Sequence, residues 1–164
     1  MNLFKMLLLP VLMLLVACNA QNTKPISANN KVESEQALEE LIKLKQIARV
    51  AYQNRDWNKA VEYYGSLSQR IPNDSEIWFR LGNSYARLNK HGAAIQSYQQ
   101  ALSRDSRNSK IWHNLGVVQL KLAANTFTEM QNNTNPDDPL NKRATYVINA
   151  ITKLLEQDFG VSSK

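Results

Sequence analysis

The sequence predicts an all-α chain, a short α-solenoid of helix-turn-helix hairpins closed by one further helix at its C-terminal end. Three observations carry this reading. Trp78, Leu81 and Gly82 return as Trp112, Leu115 and Gly116, a shared offset of 34 residues that marks a repeated helical unit and not one amphipathic pair. Apolar residues elsewhere recur at helical spacing. A chain of 164 residues has length for one domain, so the repeats must bury their faces against one another.

The chain opens on Met1 to Ala17, which reads as a secretory leader: Lys5 supplies the positive start, Met6 to Val16 is apolar and contains Pro10, and small Ala17 precedes Cys18. This run is short of the ~20 apolar residues that span a bilayer. Cys18 is the single cysteine, which excludes a disulfide within the chain and a structural cysteine metal cluster. Residues 18–33 read as a polar tether, broken only by Pro25, Ile26 and Val32. On a random-coil estimate such a tether reaches ~20 Å.

Ser34 is the expected N-cap of the first helix, with Glu33, Glu35, Glu39 and Glu40 near its positive end. Ala37, Leu38, Leu41, Leu44, Ile47, Ala48 and Ala51 follow at helical spacing to Asn54. Asp56-Trp57-Asn58 opens a second helix with Ala60, Val61, Tyr64 and Leu67 on one face. Pro72 ends it by biasing Ile71 away from the helical region. Ser75 is the expected cap of the third helix. Helical repeats are thus expected over 34–130, as units 41–74 and 75–108 and a partial unit 109–130. In the partial unit, either Ser109 to about Met130 is one long helix or a short second helix runs near Thr126 to Met130. A polar loop at 131–139 follows, rich in Asn, Asp and Pro. A last helix at 140–159 carries Leu140, Ala144, Val147, Ile148, Ile151, Leu154 and Leu155 and caps the stack.

The run Trp78-x-x-Leu81-Gly82-x-x-Tyr85, followed by Ala94, Tyr98 and Ala101, resembles the tetratricopeptide repeat. One period earlier, Leu44, Ile47, Ala48, Ala60, Tyr64 and Pro72 fit the same pattern. The resemblance covers Leu41 to about Ala124 and implies a right-handed solenoid. Gly82 would let the two helices of its hairpin approach, with Tyr98 filling the space between Ala94 and Ala101. The third unit departs from the pattern at Gln119, Thr128 and Asn132.

Leu15-Val16-Ala17-Cys18 resembles the bacterial lipobox. That resemblance implies a lipidated Cys18 with palmitate-type acyl chains, and Asn19 after it favours the periplasmic face of the outer membrane over the inner membrane.

Chemistry is sparse. His91 and His113 do not pair at ligand spacing, no phosphate loop or nucleophile elbow occurs, and Asp137-Asp138 lacks the pattern of a calcium loop. No cofactor, metal or catalytic residue is expected, and the chain is read as no enzyme. Net charge of +6 lacks the clustered Lys and Arg that nucleic acid requires. What remains is the concave surface, which the resemblance assigns to the first helix of each hairpin. By register it carries Lys45, Arg49, Tyr52 and Gln53, then Glu76, Phe79, Asn83 and Arg87, then Lys110, His113, Val117 and Lys121. That cationic bias with two aromatics suits an extended or acidic peptide. The carboxylate clamp of the family is not met: Lys45 and Lys110 fall on two of its five positions, but Arg49 and Arg80 stand where it uses Asn, and Asn114 where it uses a cation.

The expected function is a membrane-anchored scaffold binding a protein or peptide in the periplasm, an assembly or stability factor for a pilus- or secretion-type envelope machine. The alternatives are a periplasmic cell-wall enzyme or enzyme activator with an unrecognised site, and a self-assembling structural protein.

Overall fold

A computed structural model describes residues 28–159. They form six helices: α1 (Ala28–Gln53), α2 (Trp57–Arg70), α3 (Ser75–Arg87), α4 (His91–Leu102), α5 (Ser109–Asn133) and α6 (Pro139–Phe159), with no strand among the described residues. The leader, Cys18 and the tether up to residue 27 lie outside the described residues. Two compact units divide the chain between Ala37 and Leu38. The described part of the first is the opening of α1, and the second holds all that follows. None of the described helices is long and apolar enough to cross a membrane.

α1 starts at Ala28, inside the stretch 18–33 assigned to the tether and ahead of the Ser34 cap. Pro25 is the last helix breaker before Ala28 and no Gly or Pro follows it within α1, so nothing in the intervening sequence stops the helix from propagating back.

From Leu38 onward the helices stack as hairpins, with α2 on α3, α3 on α4, α4 on α5 and α5 on α6. Two apolar clusters join them. The first contains Ala48, Ala51, Ala60, Tyr64, Leu67, Ile77 and Leu81. The second contains Ala94, Tyr98, Ala101, Leu102, Ile111, Leu115 and Val118. Each repeats the other at one period: Ala60 with Ala94, Tyr64 with Tyr98, Ile77 with Ile111, Leu81 with Leu115. Burying Leu67 or Ile111 contributes about 1.5–3 kcal/mol each. The approach of α3 to α4 is set at Gly82, where a Cβ would stand 2.6 Å from two carbons of the Tyr98 ring.

The hairpin turns explain where the repeat ends. Arg55 and Asn89, one period apart, both adopt the left-handed conformation, with φ of 59° and 56°. In both, the next amide returns to the helix: Asp56 N–H donates to Ala51 O at 2.9 Å and Lys90 N–H to Tyr85 O at 3.0 Å, a closure that needs the left-handed residue. The third position in this series is Ala123, which lacks the local hydrogen-bonding side chain that makes this conformation tolerable. The helix therefore runs on, and Ser109–Asn133 is a single helix. No second helix begins near Thr126, and the expected partial unit 109–130 is lengthened to Asn133.

The loop consequently shrinks from the expected 131–139 to 134–138, and Pro139 takes the first position of α6, where its missing N–H costs nothing. Asp138 Oδ1 accepts from Leu140 N–H at 2.8 Å. α6 lies along α5 through buried Ala144 and Leu155, and Asn141 Nδ2 donates to Thr134 Oγ1 at 3.1 Å. The C-terminal helix is thus the second arm of an elongated third hairpin.

Other expectations shift locally. Asp74, not Ser75, caps α3, its Oδ1 accepting from Glu76 N–H at 3.0 Å and Ile77 N–H at 3.4 Å. Ser75 instead donates to Ala101 O on α4 at 3.0 Å. Trp78 Nε1 donates to Pro72 O at 2.8 Å and Trp112 Nε1 to Ser106 O at 2.9 Å. The acceptor is a backbone carbonyl, so replacement of Pro by Ser106 leaves this clasp intact. Leu38, Ile47, Leu140 and Leu154, all read as apolar-face positions, are exposed, and so is Trp112.

Candidate functional site

The first helices of the three hairpins, α1, α3 and α5, carry every expected groove residue, and Asn83 joins all three. Its Nδ2 donates to Tyr52 Oη at 3.0 Å. Its Oδ1 accepts from Tyr98 Oη at 2.8 Å and from Asn114 Nδ2 at 2.7 Å. Burial pushes the Tyr98 phenol well above its ordinary range, so it stays protonated and donating. The Asn83 amide, expected on the concave surface, is therefore largely engaged in holding helices together, with one N–H left to give.

Around Tyr52 lies an aromatic cluster. Its ring meets Trp57 edge-on at 5.4 Å and Tyr64 at 6.0 Å. Arg80 sits over the Tyr52 ring at 5.1 Å while pairing with Glu76 at 2.6 Å. Arg87 sits over Trp57 at 5.9 Å.

Arg87 of α3 and Lys121 of α5 form the cationic end of the surface. Lys121 is half-buried, and burial, then the nearby Arg87 guanidinium, holds its ammonium below the ordinary lysine range. Among the described residues neither cation forms an ion pair. His91, at the start of α4, is buried beside them. Its Nδ1 lies 3.3 Å from Asn125 Nδ2 and its Nε2 has no partner among the described residues. Burial, then Lys121, keeps the imidazole below its ordinary pKa.

The other expected residues spread along the surface without converging. Lys45 pairs with Asp74 at 3.7 Å, and Arg49 donates to Gln46 at 2.7 Å, so both have internal partners. Gln53, Glu76, Lys110 and His113 are exposed and Val117 is half-buried. Phe79, read as an exposed aromatic, is half-buried against Tyr98 at 6.1 Å and the second core cluster. Its removal would disturb packing as well as any contact. Cys18 lies outside the described residues.

No group of three His, Cys, Asp or Glu gathers in metal-binding geometry among the described residues. The residues that sequence reasoning left out of the site are Arg80, Asn114, Trp57 and His91. Asn114 had a signal: Tyr52, Asn83 and Asn114 are each 31 residues apart, a period less one helical turn's three residues, which places them on adjacent rungs of neighbouring helices.

Comparison with known proteins gives partial matches. The chain is 31% identical over 75 residues to the general transcriptional corepressor ssn6 of Schizosaccharomyces pombe, covering 44% of this chain and 7% of that protein. It is 32% identical over 71 residues to the peroxisomal targeting signal receptor of Saccharomyces cerevisiae, and 30% over 71 residues to that of Kluyveromyces lactis. Each of these two covers 43% of this chain and 12% of the relative. The chain therefore spans about a tenth of the length of the curated relatives it matches. Residues 45–121, which contain the α2–α4 hairpin stack and most of the cationic surface, match the family described as tetratricopeptide repeat.

Proposed function

We propose that the protein is a lipid-anchored interaction scaffold whose surface on α1, α3 and α5 receives an acidic or carboxylate-bearing segment of a partner protein. The observation that carries this is the Arg87–Lys121 pair. Two cations held together, one of them half-buried, repel each other, and an anionic group arriving between them relieves that repulsion. The tetratricopeptide match over 45–121 and the likeness to receptors for a targeting signal support recognition of a protein segment. Anchoring at Cys18, on the periplasmic face of an outer membrane, follows from the leader and the lipobox-like run before it. Service to an envelope machine of pilus or secretion type rests on that anchoring.

Fluorescence anisotropy with a labelled oligoglutamate peptide tests the surface. Binding is expected to weaken as salt rises and to be lost in the double variant Arg87→Glu, Lys121→Glu with helicity unchanged. Binding that survives the double variant overturns the reading. Metabolic labelling with a fatty acid is expected to mark the parent chain and not Cys18→Ser.

A further inference from the structure

Beside the Arg87–Lys121 surface lies a buried ionisable ring. His91 is 7% exposed at the start of α4, and α3 and α5 both pack on α4. Each of them presents a cation at this end. Arg87 closes α3 four residues before His91. On α5, Asn125 meets the ring, its Nδ2 3.3 Å from Nδ1, and Lys121 stands one helical turn before Asn125 on the same face. The turn between α3 and α4 adds Lys90, which is exposed.

Little negative charge balances them here. α4 contains no Asp or Glu, and the one acid of α3, Glu76, pairs with Arg80 at the far end of its helix. The one acid of α5 is Glu129, a turn beyond Asn125 and away from Lys121; it is exposed and accepts from Asn133 Nδ2 at 3.5 Å. Lys110 and His113 lie toward the opposite end of α5.

In the neutral ring Nδ1 accepts from Asn125, which leaves the hydrogen on Nε2, buried and without an acceptor among the described residues. Charging the ring would add a second N–H and a further positive charge beside the cations of α3 and α5. Burial first, and then Lys121, accordingly hold the imidazole below its ordinary range. The Nδ1 contact itself is no obstacle. Asn125 is exposed, and turning its amide over presents Oδ1 to an Nδ1–H.

We propose that His91 makes capture at this surface proton-linked: when an anionic segment seats between Arg87 and Lys121, His91 takes up a proton, so binding tightens as the surroundings acidify. This rests on the anionic-segment reading and adds a regulation to it. A carboxylate between the two cations offsets their field at the ring, and burial is then the main opposition to charging. Linkage is reciprocal, so whatever the ligand does to proton affinity the proton does to ligand affinity. At high pH the ring is neutral in both forms and affinity is level. As pH falls, the bound form titrates first and binding strengthens; once the free form titrates as well, affinity is level again. Each tenfold gain in the ring's proton affinity is worth up to about tenfold in ligand affinity.

Anisotropy of labelled oligoglutamate with the full chain, from about pH 7.5 to about pH 5.5 at fixed ionic strength, tests this while the probe keeps its charge. Affinity is expected to rise about threefold or more as pH falls, in the parent chain and in His113→Gln. In His91→Gln, which keeps a polar group toward Asn125, it should stay level. NMR of the ring follows His91 itself: the peptide should raise its titration midpoint, and so should Lys121→Met with no peptide present. Equal affinity across the pH span overturns the coupling and leaves the binding reading standing. So does a response kept in His91→Gln and lost in His113→Gln, or a His91 midpoint that neither the peptide nor Lys121→Met moves. A peptide that binds at no pH removes the binding reading, and the coupling falls with it.

Discussion

The second and third hairpins begin alike, with Trp, Leu and Gly at matching places in α3 and α5, yet the glycines have different surroundings. At Gly82 an added Cβ would strike the Tyr98 ring at 2.6 Å, whereas at Gly116 it would meet nothing within 4 Å. The cause lies on the other arm. Tyr98 stands opposite Gly82 on α4, but its counterpart one period on is Asn132, which belongs to the same helix as Gly116 because the turn at Ala123 never formed. A small residue is a packing device only while its large partner exists, so half of a repeat motif can persist in sequence after its mechanical reason has gone.

This contrast can be broken deliberately. The largest effect is expected from Gly82→Leu, which must push α4 away or force Tyr98 off its rotamer, at a cost on the order of 1–3 kcal/mol in chemical denaturation. Gly116→Leu in the same assay should carry no such penalty, since open space and better helix propensity than Gly both favour it. Next comes Asn83→Ala, which strips partners from Tyr52, Tyr98 and Asn114 and is expected to cost about 1–2 kcal/mol. The residue in that register on α5 is Val117, where truncation to Ala should remove only part of a half-buried side chain. Gly116→Ala reverses the sign: with open space around it, the gain in helix propensity should raise stability by about 0.5–1 kcal/mol.

The smallest expected effect concerns His91, packed against α5 at Asn125 and near Lys121. Its folded pKa lies below the ordinary histidine value. As pH falls through that value the unfolded chain takes up a proton first, so stability present above it should decline until the folded site itself titrates. His91→Gln should flatten the decline that begins as pH falls through about 6.5 in thermal melts, and an unchanged slope would show that other groups set it.

Much of this architecture could be read from residue order. The period located α2, α3 and α4, and Gly82 with Tyr98 was visible as a small-to-large pair. The third hairpin was harder because its length depends on one missing left-handed residue, and periodicity is blind to whether a turn forms. Within the site, Lys45, Arg49, Asn83 and Phe79 were placed on the right helices, but helical register says nothing of prior engagements. Asp74 holds Lys45, Tyr98 and Asn114 hold Asn83, and Phe79 leans into the core. Arg87 and Lys121 stand out only once the neighbours of every cation are known.

The hydrogen bonds through Asn83 reach back to Tyr52 and forward to Asn114, so a single amide straddles both boundaries between consecutive first helices. In a stack where each unit touches only its neighbours, the strength of such boundaries decides whether units melt singly or in concert. Cutting the bridge with Asn83→Leu should therefore do more than lower the mean stability. It should loosen cooperativity, so that amide exchange in α1 and α5, matched while the bridge stands, proceeds at separate rates once it is gone.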